Sequence, residues 1–395
     1  MNILIISHKP PYPIIDGGCL AMSRFLENLQ DIDIVERITH FSLSTYKHPF
    51  DIKSFPEKTL TKFEFLNAKI DIRIKPVDAF INLVTGKSYN LSRFYNKRIA
   101  EQLIILCQAK RFDVIIFESL YASVYFKDLK YKTNSKFIYR AHNIENQIWE
   151  DQKHSAKDIF RKIYLNQLFR KLKKYEHSFL SEPELILPLS TNDSKIIKSF
   201  STCRTVLLPV TMENQDFELN YGNKKLCFIG SFNWEPNKEA MNWFVQNVFI
   251  KLKEKFEFLE LHIAGSHSNE ISHLNKIDGV QLHGFVESSS DFLSKNDIFI
   301  SPLLSGSGVK MKVLEAMTIG IPCSISTKSA EGIPIDFKSN ETKEEFIADL
   351  CELIENHTLR IYRGMGGKKT IKDYFEKSKI NEILANELFK LTSTN

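Results

Sequence analysis

The chain is poor in anything that would cross-link it or carry it through a membrane. Its six cysteines, at positions 19, 107, 203, 227, 323 and 351, are scattered and form no Cys-x-x-Cys pair. That spacing excludes a disulfide-stapled scaffold and a cysteine zinc cage, and it reads as reduced thiols in a cytoplasmic protein. No stretch approaches the roughly 18 uninterrupted apolar residues of a membrane span. Met1 to Ile6 has no basic region before it and runs into His8-Lys9-Pro10, so it reads as a first strand and not as a signal peptide. Net charge is only +5, with basic residues dispersed except between Lys153 and Lys174, which gives no nucleic-acid footprint. No G-x-G-x-x-G follows the first strand of either half, which argues against a nicotinamide oxidoreductase. No internal repeat or low-complexity tract is present.

What remains is a globular chain, 43% hydrophobic and 26% charged, and its 395 residues suffice for two domains with separate cores. Both halves open in the same way. In the first, residues 2–7 form a buried strand, Pro10, Pro11 and Pro13 force an extended loop, and Asp16-Gly17-Gly18 opens a helix over 19–29. Strands are predicted over 32–38, 69–76, 112–117, 136–140, 184–189 and 205–210, with helical patterns over 89–109 and 149–179. Asp31-Ile32-Asp33 spells Asp-x-Asp, a spacing that can bind a metal. Without supporting ligands it reads as a solvated strand end. Polar residues 211–223 form a linker. Strands at 225–229, 259–264, 280–282 and 298–302 follow, with a helix from Pro236 through Leu252 and a helical tail over 343–356 and 358–391. This alternation indicates an α/β protein of two Rossmann-like domains facing across a cleft. The expected division is 1–210, the linker 211–223, 224–375, and a terminal helix 376–395 returning to the first domain.

Three stretches carry candidate chemistry. From Asn296 the chain reads NDIFISPLLSGSGVKMKVLEAMTIGIPCSISTKSAEGI. A strand is followed by a turn containing Gly306, Ser307 and Gly308, then by a helix predicted over 309–319 and closed by Gly320. Backbone amides of Gly306 to Val309 and the helix N-terminus suit a phosphate. Gly308, Lys312 and Glu315, spaced i, i+4 and i+7, would share one face: lysine for phosphate, carboxylate for ribose hydroxyls. The alternative is a solvated Lys312–Glu315 pair. The second stretch, Arg140-Ala141-His142-Asn143-Ile144-Glu145, leaves the end of a parallel strand, where open α/β sheets place ligands. His142 is there either a contact to a bound hydroxyl-bearing ligand or a capping residue. The third, 149–179, is basic on one side (Lys153, Lys157, Arg161, Lys162, Arg170, Lys171, Lys173, Lys174). It also carries an apolar stripe that includes Ile159, Ile163, Leu165, Leu168, Phe169 and Leu172. It reads as an amphipathic helix packed on its own domain, and is also open to peripheral contact with anionic lipid.

The turn and helix resemble the donor site "G-x-G-(V/I)-x-x-K-x-L-E-A-M" of the GT-B glycosyltransferases of family 4 (glycosyl transferases group 1). "R-A-H-N-I-E" with Trp149, and "F-I-G-S-F-N-W-E-P-N" from Phe228, are similar to the same branch. The resemblance implies transfer of a sugar from a nucleotide-diphosphate sugar to a glycan or lipid-linked acceptor hydroxyl in cell-surface polysaccharide synthesis. It implies retained configuration, no metal and no cofactor. The expected setting is cytoplasmic, with residues 149–179 as the ground for peripheral contact at the inner face of the cell membrane. In retaining members the leaving phosphate takes the acceptor proton. Carried over by position, donor contacts fall on Gly17, Gly18, Gly230, Ser231, Lys238, Gly284, Phe285, Val286, Gly306, Ser307, Gly308, Val309 and Glu315, with His142 and Lys312 catalytic. Two positions depart from the family pattern: Ser307 stands where a first glutamate is usual, and Ser231 where an arginine is usual. A nucleotide-sugar epimerase of the same architecture and a catalytically silent partner subunit are the alternatives.

Overall fold

The computed structural model describes residues 1–57, 62–74, 88–155 and 158–393. It divides into two compact units, Met1–Thr211 with Ser378–Asn395, and Met212–Lys377.

The first unit is built on a parallel sheet of β1 (Asn2–Ser7), β2 (Arg37–Ser44), β3 (Phe63–Lys69), β4 (Val114–Glu118), β5 (Lys136–Ala141), β6 (Leu185–Pro188) and β7 (Arg204–Thr205). Their order across the sheet is β3-β2-β1-β4-β5-β6-β7. Both faces are covered, so the central strands are continuous apolar runs and not alternating ones. In β1, Leu4 and Ile6 face one core while Ile3 and Ile5 face the other. Helices α1 (Gly17–Gln30), α2 (Lys97–Ala109), α3 (Glu145–Ser155), α4 (Ile159–Phe179) and α5 (Thr191–Phe200) connect the strands. The helix 377–393 comes back to this unit and adds Ile380, Leu384 and Leu388 to the Ile3–Ile5 core, beside Phe25, Leu26 and Leu29 of α1.

The second unit has a parallel sheet of β8 (Lys225–Ile229), β9 (Glu260–Ala264), β10 (Val280–Gly284), β11 (Ile298–Ser301) and β12 (Cys323–Ile325), ordered β10-β9-β8-β11-β12. Its helices include α6 (Glu235–Phe244), continued through a π turn to Lys255, α7 (Met311–Ile319), α8 (Lys343–Glu355) and α9 (His357–Tyr374). The last helix of the chain, α10, is Lys377–Ser393. Phe228 of β8, Phe244 of α6 and Phe346 of α8 meet in its core.

Several expected boundaries move. The second strand starts at Arg37, because Ile32 and Val35, apolar in the expected strand, are instead buried under α1 in the turn that follows it. Asp31 and Asp33 are exposed in that turn. The third strand is Phe63–Lys69, and the end of the expected 69–76 strand lies outside the described residues. The predicted strand 205–210 is β-paired only at Arg204–Thr205. Val206 and Leu208 still donate to Ile186 O at 3.0 Å and Pro188 O at 2.9 Å before Pro209, which has no N–H, stops the ladder. The helical pattern 89–109 is broken, and Asn96 caps α2 by accepting from the Arg98 amide at 2.9 Å. The long basic helix is two helices, α3 and α4. Along α4, Leu165, Leu168, Phe169 and Leu172 are buried, but Ile159 and Ile163 are 61% and 56% exposed and leave the stripe. Lys157 and the side chain of Arg161 lie outside the described residues.

Candidate functional site

Each sheet reverses its strand order once, at β1/β4 in the first unit and β8/β11 in the second. Chains leaving the carboxyl ends of such neighbouring strands diverge to opposite faces and leave room for a ligand. The candidate residues collect at these two places.

In the second unit β11 ends at Ser301, and the backbone turns through Gly306 (φ +106°) and Gly308 (φ +77°), left-handed conformations that only glycine adopts freely. The helix after it starts at Met311, two residues later than expected, so Gly308 lies in the turn and shares no helix face with Lys312 and Glu315. The reason is Lys310, which occupies the N-cap position. Its buried ammonium donates back to Gly308 O at 2.5 Å and Gly306 O at 3.4 Å. These bonds occupy the turn's carbonyls. The helix N-terminus has no side-chain cap and no acidic residue in its first turn, so its positive end is not neutralised there. At its other end Gly320 (φ +88°) closes the helix as expected.

Lys312, half-buried, donates to Asn237 Oδ1 at 2.6 Å and lies 4.2 Å from the centre of the Phe228 ring. Burial, helped by the Lys310 charge and opposed by Glu315, pushes its ammonium down to about 7. Asn237 also donates to Ser231 O at 2.7 Å, and so ties the turn after β8 to Lys312. Gly230 fits this corner because it lacks a side chain: a Cβ there would lie 2.8 Å from Asn237 Nδ2 and 3.0 Å from Lys312 Nζ. Ser231 shares its hydroxyl with Asn233 at 2.8 Å and Ser266 at 2.7 Å. Lys238 does not join the group. It pairs with Glu235 at 2.7 Å and Glu270 at 3.6 Å. Glu315, one turn beyond Lys312, accepts from Ser289 Oγ at 3.0 Å. Gly284 ends β10 with φ +72°, Phe285 is 74% exposed, and Val286 is half-buried. Ser307 and Val309 are half-buried in the glycine turn.

In the first unit, parallel pairing places Glu118 of β4 beside Arg140 of β5. Both are 1% exposed. Arg140 Nη1 donates to Glu118 at 3.0 and 3.1 Å, and His142 Nε2 bonds the same carboxylate. Burial opposes ionisation of Glu118, but Arg140 and His142 outweigh it and hold the carboxyl at about 2. Burial, with Arg140 and Lys9, outweighs Glu118 at His142 and keeps its pKa below the usual histidine range. His142 is therefore a neutral ring oriented by a carboxylate, able to accept or relay a proton. Nearby Glu145 accepts from Tyr121 at 2.9 Å, and burial followed by the Glu176 charge pushes it up to about 7.

Gly17 and Gly18 open α1, where Asp16 caps the helix through Cys19 N at 2.8 Å and receives Lys9 on both oxygens at 2.7 Å. A Cβ on Gly18 would lie 2.7 Å from that ammonium. His48 Nε2 is 2.9 Å from Asp16, so ligand atoms of Asp16, Cys19 and His48 come within 4.8 Å of one another. With Lys9 on both carboxylate oxygens, this cluster is organised as an ion pair.

Sequence reasoning did not single out Lys310, Asn237, Glu118 or the Lys9–Asp16–His48 group. For Glu118 a signal existed: a lone carboxylate ending the apolar run VIIFE.

Residues 223–356 match the family model described as glycosyl transferases group 1. Over 386 residues, 94% of this chain and 93% of the relative, the sequence is 24% identical to an uncharacterised 44.6 kDa protein in the cps region of Klebsiella pneumoniae. Among solved structures, sucrose-phosphate synthase from Thermosynechococcus elongatus superposes with a TM-score of 0.74 at 12% identity, covering all of both chains. Anabaena HepE in complex with UDP-glucose gives 0.67 at 10%, over 99% of this chain and all of that one. TarM from S. aureus gives 0.66 at 11%, over 98% and 99%.

Proposed function

We propose, from the premise that this chain is a group 1 glycosyltransferase with the GT-B fold, that it moves a sugar from a nucleotide-diphosphate sugar to an acceptor hydroxyl of a glycan or lipid-linked glycan. The observation that carries the donor assignment is the corner at β8/β11. Lys312 is held there by Asn237 beside a left-handed glycine turn whose carbonyls are occupied by Lys310. Charge grows on the departing diphosphate as the sugar becomes oxocarbenium-like. A lysine and uncapped amides held in place before reaction stabilise that charge without rearranging. Amides of Gly306 to Val309 and Lys312 take the diphosphate, Glu315 the ribose hydroxyls, and the backbone of Gly284 to Val286 the base. On this reading the reaction needs no metal and retains configuration, with the leaving phosphate accepting the acceptor proton. His142, oriented by Glu118, is the catalytic histidine of this reading.

HepE is described with UDP-glucose and the Klebsiella relative lies in a cps region, which together favour a nucleotide-sugar donor and polysaccharide synthesis. No helix among the described residues is long and apolar enough to cross a membrane. The basic side of α4 and its exposed Ile159 and Ile163 favour peripheral contact with the inner membrane face. Ser307 and Ser231, which depart from the family pattern, are what favours the silent-subunit reading. Ligand-detected binding against a panel of nucleotides and nucleotide sugars, followed by product analysis, tests the proposal. Binding of one donor and sugar transfer support it. Epimer formation alone, or binding with neither transfer nor donor hydrolysis, would overturn it.

A further inference from the structure

Apart from its two main cores, the first unit has a small apolar cluster of Tyr89, Leu165 and Leu168, against which Trp149 and Tyr164 pack. Beside it opens a cavity of about 330 Å³ walled by Tyr89, Asn90, Arg93, Trp149, Tyr164 and Leu168. The short helical turn Tyr89–Ser92 and its C-cap Arg93, with α3 and α4, supply these residues.

Two observations distinguish this cavity from a packing gap. Asn90 is 2% exposed, yet its Nδ2 has no hydrogen-bond partner. A buried donor left alone is costly, so native structures rarely keep one without a use. Arg93 is half-buried, donates through Nη1 to Ile72 O at 2.9 Å, and stands 5.4 Å from the centre of the Tyr89 ring. Its Nε is also buried without a partner, and among the described residues no carboxylate pairs with its charge. The wall therefore carries, among the described residues, one uncompensated cation between aromatic faces, with a buried N–H of Asn90 and one of Arg93 left unbonded just behind it. Anionic oxygens satisfy such donors better than neutral ones, and aromatic walls suit the C–H face of a sugar ring.

The cavity is also well placed. Phe94, the residue after Arg93, lies 6.2 Å ring to ring from His8, which follows β1 at the switch point. The segment that supplies Asn90 and Arg93 thus reaches, through Phe94, the end of the sheet that carries His142.

We infer that this cavity is an acceptor subsite for an anionic sugar, its ring lying between Trp149 and Tyr164 and its phosphate or carboxylate oxygens taken by Asn90 and Arg93. Its role as an acceptor subsite rests on the transferase reading above; the binding itself does not. The test uses the full chain and four probes: glucose 1-phosphate, glucuronic acid, glucose and dodecyl phosphate. Binding is followed by saturation-transfer NMR and by fluorescence, to which Trp149 contributes as one of three tryptophans. One or both anionic sugars should bind, with glucose about tenfold weaker or more, and the better anion identifies phosphate or carboxylate as the natural group. Arg93→Gln and Asn90→Ala should each weaken that binding about tenfold, while Trp149→Phe removes the fluorescence response. Asn90→Ala, the smaller change, decides the matter if Arg93→Gln fails to fold. Equal binding of glucose, binding of dodecyl phosphate alone, no sugar binding, or full binding in both variants would each overturn the inference. Nucleotide binding is measured on the same samples. Its loss with sugar binding intact counts against the transferase reading only, and the reverse counts against this subsite only.

Discussion

Lys312 gives the donor assignment a dependence on pH that few alternatives share. Without ligand its ammonium is pushed down to about 7, chiefly by burial and then by Lys310, with Glu315 acting the other way and Asn237 holding the nitrogen. A diphosphate at the glycine turn would supply the missing counter-charge and raise that value, so binding takes up a proton wherever the free lysine is neutral. Affinity is then highest below pH 7 and falls as pH rises through it. If the bound value returns to that of an ordinary lysine, the loss is about tenfold by pH 8 and about 100-fold by pH 9. The ligand should be a nucleotide-diphosphate sugar, because its diphosphate is esterified at both ends and has no ionisation of its own in this range. Dissociation constants between pH 6 and 9, for the natural chain and for Lys312→Met, make the comparison. Lys312→Met should bind weakly with a flat profile. A flat profile in the natural chain, or an unchanged slope in the variant, would refute the reasoning.

Glu315→Gln keeps size and one acceptor but loses the charge that strengthens bonds from ribose hydroxyls, about 1.5–3 kcal/mol, so calorimetry should show nucleotide binding weakened roughly tenfold or more. In steady-state kinetics His142→Ala should lower kcat far more than donor affinity; equal losses would mark the residue as packing. Transfer should continue in EDTA, and full loss with rescue by Mn²⁺ would reverse the metal-free reading. His40, 1% exposed with neither ring nitrogen bonded, is pushed down to about 4 by burial. The unfolded chain takes up that proton first as pH drops below about 6.5, so stability is full above that value and declines toward pH 4. The share due to His40 is about 2 kcal/mol between pH 7.5 and 5, measurable by urea unfolding as the difference between the natural chain and His40→Leu.

Much of the architecture was legible because a parallel sheet covered on both faces requires runs such as ILII, VIIF and IFI, which few other structures explain. The glycine turn and the Gly320 helix stop were legible for a similar reason, since both positions need positive φ. Boundaries failed where apolar residues serve a turn: Ile32 and Val35 look like strand but fill the space under α1. At the sites, sequence showed single residues and missed partners brought together by folding. Glu118 and His142 are 24 positions apart, and Asn237 and Lys312 are 75 apart. Lys310 was overlooked for another reason. A lysine at a helix start opposes the dipole, and its value becomes plain only once it is seen bonding the carbonyls of Gly306 and Gly308.

The return of α10 to the first unit has a consequence for how the protein is made. The second unit is one uninterrupted segment, 212–377, spliced into the first, whose two pieces are 1–211 and 378–395. During synthesis the first sheet emerges early, but Ile380, Leu384 and Leu388, which complete the core beneath β1, leave the ribosome only after the whole of the second unit. Until then that apolar face stays open, a stretch of sticky surface that a nascent chain must keep from its neighbours. A chain stopped before residue 378 keeps all of the β8/β11 corner and still lacks the last wall of the other unit. Its failure would be one of solubility, seen in the half that lost nothing but a distant helix.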